Sequence, residues 1–496
     1  MFPALIIIHV SPIHTDRKKT MGASGISRGH KFINDLALYA IGNIGSKLIT
    51  FMLVPFYTFF ITDPAEFGYY DICLTVAFGM IPLITLQLHE GGFRFLMEAG
   101  ELQRKQAIVS FILRTVFLNS AIILFIGLVL GQYVEIKYLG YMVMFGIAQA
   151  FIDSWLQIVR GLGLIKVYVG AGIFNSLLIA LLSVFAVAVL EWGVPGIFVA
   201  NISARFLTLV YLEFKTGIVR KYFSIDRRTC KEVSRELVKY SLPLLPLSVL
   251  WWILNNNGVF FIKEFLGLEE NGIYAILAKF TGILYVLVFI FYQTWQQNAI
   301  EQYNSPERNR FFSAVFNNYF HLLCFFVAVF PFALRINYSW LVSPEYYSSS
   351  QYLFANSVFM MCFALCSFFE IGYQCSKNTS GILPGVLIAM IVNIAGNFYC
   401  VPLFGIFGLI AVNILTYVVL LVYRIVDTRK YMRVSFSPRN IVGLCVLSVA
   451  GILFAVQEST VVDVIFIIVA AIVFYLCIPK NNRDAFFEGF MLKRKR

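Results

Sequence analysis

Residues 107–131 read AIVSFILRTVFLNSAIILFIGLVLG, an unbroken apolar run with a single charge, Arg114. A helix needs about 20 such residues to cross the hydrocarbon core of a bilayer, and this run is longer. Comparable runs lie near 34–60, 68–90, 138–160, 167–190 and 194–214, then near 240–262, 271–296, 310–334, 347–373, 380–400 and 405–425, with two more near 440–456 and 461–478. The pattern predicts an all-α integral membrane protein with about fourteen transmembrane helices. Composition agrees: 13% of the residues are charged, about half the share of a soluble domain. That leaves too little polar surface for a globule in water, whereas a bilayer accepts apolar side chains on the outside.

The loops orient the spans. Basic residues concentrate on cytoplasmic loops, and one set of alternate loops carries Arg17, Lys18, Lys19, Arg28 and Lys31, then Arg94, Arg104 and Lys105, then Arg160 and Lys166. The same side holds the densest group, Lys215 through Lys239, followed by Arg308, Arg310 and Lys377, then Arg424, Arg429, Lys430, Arg433 and Arg439, and the Lys493–Arg496 tail. The opposite side has Lys137, Lys263 and Arg335 beside Asp63, Glu66, Glu269 and Glu270. Both termini are expected in the cytoplasm. The net charge of +12 then faces anionic headgroups, and a nucleic-acid role is set aside. Residues 1–31 form a cytoplasmic segment. Its short apolar run precedes its basic residues, the reverse of a secretory signal, and one reading is that translation starts at Met21, residues 1–20 being a mis-assigned start.

The basic stretch 215–239 divides two related halves, 32–214 and 240–425. Glu66-x-Gly68-x-Tyr70 is echoed by Glu270-x-Gly272-x-Tyr274, and Gly196 with Asn201-Ile202 by Gly408 with Asn413-Ile414. Six spans per half preserve orientation, so the halves are expected to be two six-helix lobes in parallel repeat, as in transporters that rock about a central site. Residues 426–478 add two helices and 479–496 a basic cytoplasmic tail.

Enzyme chemistry finds no footing. There is no G-x-x-x-x-G-K-[ST] loop, His89-Glu90 begins a zinc motif that Phe93 ends, and the nine cysteines include no C-x-x-C pair. No metal or cofactor is expected. His321, alone in its span, reads as an interhelical hydrogen bond. The outer loops are too short to hold a glycan-processing domain.

Charges within the spans each need a reason, because one at mid-bilayer costs about 2.5–3.5 kcal/mol on insertion scales. Lys47, Arg205 and Lys279 lie deep and have no acid three or four residues away. They could line a cationic path for an anionic headgroup. Asn255 and Asn257, with Gln293 and Trp295, put amides beside aromatic rings, a combination that suits sugars, with interhelical hydrogen bonding as the alternative.

Several stretches carry a family resemblance: Glu66-Phe67-Gly68-Tyr69-Tyr70, Gly92-x-Arg94, Ser241-Leu242-Pro243, Gly267 through Tyr274, and Asn393…Pro402…Gly405…Gly408. Over roughly residues 25–480 the chain resembles the Wzx-type polysaccharide (O-antigen) flippases of the multidrug/oligosaccharidyl-lipid/polysaccharide exporter superfamily. The resemblance implies a non-enzymatic flippase in the bacterial cytoplasmic (inner) membrane. Its substrate would be an undecaprenyl-diphosphate-linked oligosaccharide, moved from the cytoplasmic to the periplasmic leaflet by alternating access. Lys47, Arg94, Arg205 and Lys279 would line a cationic cavity between the lobes. Lipids and other glycan-assembly membrane proteins would be partners. Coupling to protons or sodium stays open, with Asp71, Asp153 and Glu370 as candidate acids. A cation-coupled multidrug or small-solute antiporter of the same superfamily is the alternative.

Overall fold

The computed structural model describes residues 45, 46, 49, 51–223, 227–376 and 381–477. The expectations for residues 1–31, Lys47 and the 479–496 tail lie outside them. Twelve helices among the described residues are long and apolar enough to cross a membrane. The helices used below, spanning and shorter, are in order α1 (Phe51–Phe60), α2 (Pro64–Thr85), α3 (Leu88–Glu98), α4 (Leu102–Tyr133), α5 (Leu139–Gly161), α6 (Ile165–Ser183), α7 (Gly193–Thr216), α8 (Arg227–Ser241), α9 (Leu244–Phe265), α10 (Leu268–Gln302), α11 (Arg308–Ile336), α12 (Leu353–Cys375), α13 (Ile382–Thr428), α14 (Arg439–Val456) and α15 (Thr460–Cys477).

Local chemistry sets several boundaries. Pro64 opens α2, where its missing N–H costs nothing, and the Asp63 side chain accepts from Ala65 N at 2.9 Å. Glu66 in the first turn faces the positive end of the helix dipole. The single span expected at 68–90 is two helices, because Leu86 and Gln87 both adopt left-handed φ, 48° and 57°. Such backbone is sparsely populated for side-chain-bearing residues and costs of order 1 kcal/mol each. The bend sets α3, with Glu90 and Arg94, apart from α2. The spans expected at 380–400 and 405–425 are the two parts of α13, broken at Gly405 (φ 61°, ψ −142°). The expected basic linker is largely helical: its Val233 and Leu237 are buried against the N-terminal lobe, and Lys231, Arg235 and Lys239 face outward.

The repeated motifs have matching structural roles. A Cβ on Gly68 would strike the Leu268 carbonyl, four residues before Gly272. One on Gly272 would strike the Pro64 carbonyl, four residues before Gly68. These reciprocal contacts join α2 to α10 at the end of the bundle that the charge pattern makes the outer one. Gly196 and Gly408 are also equivalent, each set against a carbonyl of the segment before it, Ala186 and Cys400.

The last two helices pack on α11, through Phe332 against Phe454 and Phe466 (centroids 5.2 and 4.7 Å) and His321 Nε2, 3.2 Å from the Phe474 carbonyl. Arg335 fastens them. Its guanidinium pairs with buried Asp463, Nε to Oδ2 at 2.9 Å, and donates to the Phe454 carbonyl at 2.9 Å. Removing one partner of such a buried pair costs about 3–5 kcal/mol. Asp463→Ala should therefore lower the thermal unfolding midpoint in micelles; an unchanged midpoint would mean that the pair does not fasten these helices.

Candidate functional site

The seam between the lobes runs along α2. Beside the twin glycines, Asn271 Nδ2 donates to the Gly68 carbonyl at 2.8 Å. Further in, Lys279 Nζ, two turns past Gly272 on α10, meets Asp71 Oδ1, one turn past Gly68 on α2, at 3.1 Å, with the ammonium 5.0 Å above the Phe67 ring. Both side chains keep partial access, 26% for Lys279 and 18% for Asp71. Towards the inner end the seam continues against α9: Trp252 Nε1 donates to the Thr75 carbonyl at 3.1 Å, and Gln87 Nε2 to Ser248 Oγ at 3.0 Å.

The outer end is sealed by a residue that the sequence did not single out. Tyr346, in the 3-10 turn Pro344–Tyr352 between α11 and α12, is fully buried. Its hydroxyl crosses to the other lobe and donates to the Ile61 carbonyl at 2.7 Å, with its ring edge-on to Phe67 at 6.1 Å. Beside it Glu66 binds both Lys137 and the Tyr138 hydroxyl. Burial, then this carboxylate, push the Tyr138 phenol up to about 12, and the hydrogen bond to Glu66 raises Lys137.

Arg205 does not join Lys279. It is 7% exposed inside the N-terminal lobe. Its Nε donates to Gln149 Oε1 at 2.6 Å and its Nη1 to Asn201 Oδ1 at 3.0 Å, with Phe145 beneath at 4.3 Å. Gln149 in turn donates to Asp153 Oδ1 at 2.9 Å. Arg94 also lies apart from Lys279. It is exposed on α3, paired with Glu98 at 3.3 Å and stacked over Tyr240 at 5.1 Å, and hydrogen bonding to Tyr240 and Glu98 raises its pKa. The structure does not group either with Lys279; each finds its partners within its own neighbourhood.

The expected sugar contacts also separate. Trp295 is 2% exposed, stacked on Phe368 at 4.5 Å, with its Nε1 donating to the Phe368 carbonyl at 3.1 Å. It is core, not a sugar platform. Asn257 belongs to a buried amide network: its Nδ2 donates to Asn393 Oδ1 at 2.8 Å, its Oδ1 accepts from Asn397, and Asn393 reaches Asn413 and Thr416 across the two parts of α13. Asn255 stays exposed, accepting from Tyr417 Oη at 2.7 Å, and Gln293 is half-buried on α10. Glu370 pairs at 2.9 Å with Arg424, whose Nη1 donates to the Cys366 carbonyl at 2.7 Å. Arg424 was expected in a cytoplasmic loop; it is a 2%-exposed interior residue of α13. Among the described residues no three His, Cys, Asp or Glu side chains are grouped to hold a metal.

Two packed lobes with charged and amide clusters in their interiors define a fold shared with known flippases and multidrug transporters. A structure titled lipid II flippase MurJ, inward closed conformation, aligns over 92% of this chain and all of that one, with a TM-score of 0.62 at 12% identity. An inward-facing multidrug resistance MATE family transporter of the MOP superfamily aligns over 84% and 99%, with a TM-score of 0.60 at 15% identity. The Vibrio cholerae MATE transporter VcmN, as a D35N mutant, aligns over 82% and 99%, at 0.53 and 14%. No curated protein matches the chain. Residues 32–295, more than half of the sequence, match the family described as polysaccharide biosynthesis protein, and the chain belongs to that family.

Proposed function

We propose that this protein is a flippase for a polyprenyl-diphosphate-linked oligosaccharide, carrying it from the cytoplasmic to the outer leaflet of a bacterial inner membrane with both termini inside. The observation that carries the reading is Lys279, a partly accessible cation on the seam between two lobes, immediately inside a closed outer contact. Membership of a polysaccharide biosynthesis family and a fold held in common with a lipid II flippase support it. Chemistry agrees: an ammonium at the seam offsets the desolvation of a diphosphate, while the polyprenol chain stays in hydrocarbon. Opening first one end of the seam and then the other would expose the headgroup to each face in turn.

The test is a leaflet assay in proteoliposomes with an undecaprenyl-diphosphate-linked oligosaccharide. A hydrogen bond to a charged group contributes about 1.5–3 kcal/mol. Lys279→Gln is therefore expected to slow flipping about tenfold or more, and Lys279→Arg to keep most of it. A wild-type protein that does not flip this lipid would sink the reading. The second reading, a cation-coupled antiporter, draws on the half-buried carboxylate of Glu370 beside Arg424; it would gain if proteoliposomes exchanged an organic cation for protons.

A further inference from the structure

The pair at the seam contains a second piece of information. Lys279 is held by a carboxylate from the other lobe, and the two residues lie 208 positions apart in the chain. A headgroup that takes the Lys279 ammonium in full must compete with Asp71 for it and turn that carboxylate away. The cost of that exchange is the same for every ligand: one ion pair is lost, and Asp71 is left uncompensated in a partly buried setting, which is expensive. The gain grows with the negative charge that the ligand presents. A monoanion offers Lys279 what Asp71 already gives it and returns nothing net. A diphosphate brings more charge and more acceptor oxygens, so it can win.

Resting on the flippase reading, we propose that Asp71 is an internal competitor for the headgroup at Lys279, and that its carboxylate sets the charge a lipid must carry to enter the site. The ordinary phospholipids around the protein are zwitterionic or singly charged and far outnumber any glycan carrier. A bare ammonium at the seam would be occupied by anionic phospholipid. A site already filled by its own carboxylate rejects that lipid without a steric filter. This is discrimination by a built-in unfavourable exchange, and it assigns Asp71 a selectivity role in place of ion coupling. Asp71 acts through Lys279, as a positioning residue.

The test is binding by the full-length protein in phosphatidylcholine nanodiscs, with an undecaprenyl phosphosugar, a singly charged phosphodiester, and undecaprenyl diphosphate as the two probes. The wild-type protein should prefer the diphosphate. In Asp71→Asn the preference should fall about tenfold, a coupling of ordinary size between two charged sites, mainly because the phosphodiester binds more tightly. Asp71→Glu should restore the preference, and Asp71→Ser should behave as Asp71→Asn does, so that a folding failure in one variant leaves the comparison standing. A loss that was merely structural would weaken both probes together. Diphosphate binding with an unchanged preference in Asp71→Asn and Asp71→Ser overturns the proposal and leaves the flippase reading in place. Failure of the wild-type protein to bind either probe removes the flippase reading, and the proposal with it.

Discussion

Gly272→Val should hold the outer ends of the lobes apart and cut transport by more than about tenfold. The added side chain meets the carbonyl of Pro64, the first residue of α2. That turn cannot drift aside cheaply, since proline fixes its φ and Asp63 caps it. Overpacking typically costs about 1–3 kcal/mol, and directed at a single conformation it shifts an equilibrium about 5- to 150-fold. Gly68→Val should act alike, its obstacles being the Leu268 carbonyl and the Gly272 amide. The measurement is labelling of Ile273→Cys by a membrane-impermeant maleimide from outside. Ile273 is buried in the closed form, so labelling should be slow alone and fast when Gly68→Val is added. Equal labelling with normal transport would mean that this contact is not a gate.

The second large effect falls on stability. Arg205→Ala strips donors from Gln149 and Asn201, uncovers the face of Phe145 and removes the cation nearest Asp153. Breaking a buried charge network from one side costs about 3–5 kcal/mol. Arg205→Lys should restore little, because an ammonium cannot address Gln149 and Asn201 in the fork geometry of a guanidinium. Thermal unfolding in micelles should report the loss, and flipping per folded molecule should stay close to wild type. A variant that melts like wild type yet does not flip would return Arg205 to the substrate path.

The outline of this fold was legible because its signals are local. Apolar runs mark spans, and the paired Glu-x-Gly-x-Tyr stretches mark two halves. What those glycines do was not legible, since their neighbours are backbone atoms on the opposite lobe. Lys279 was noticed for want of an acid three or four residues away, and its partner came from α2, a pairing that no local spacing encodes. Arg424 was hidden by standing at the end of an apolar run, where a basic residue ordinarily reaches for headgroups. Trp295 misled for a related reason: amides beside an aromatic look the same in sequence whether the ring faces sugar or stacks on Phe368. The bend at Leu86–Gln87 carries neither glycine nor proline at the turn itself, so only the packed structure reveals it.

The twin-glycine contact also has the form of an isologous interface. Each half offers the same small patch, a glycine one turn into a helix, and receives the same patch from the other, so residue i meets residue j and j meets i. A half-length chain bearing that patch once would have everything needed to dock on a second copy of itself in parallel orientation. In such a dimer one substitution at the glycine would alter both sides of the closure together; in the fused chain the two sides can change separately. That freedom lets one half keep a lysine at the seam while the other supplies an aspartate.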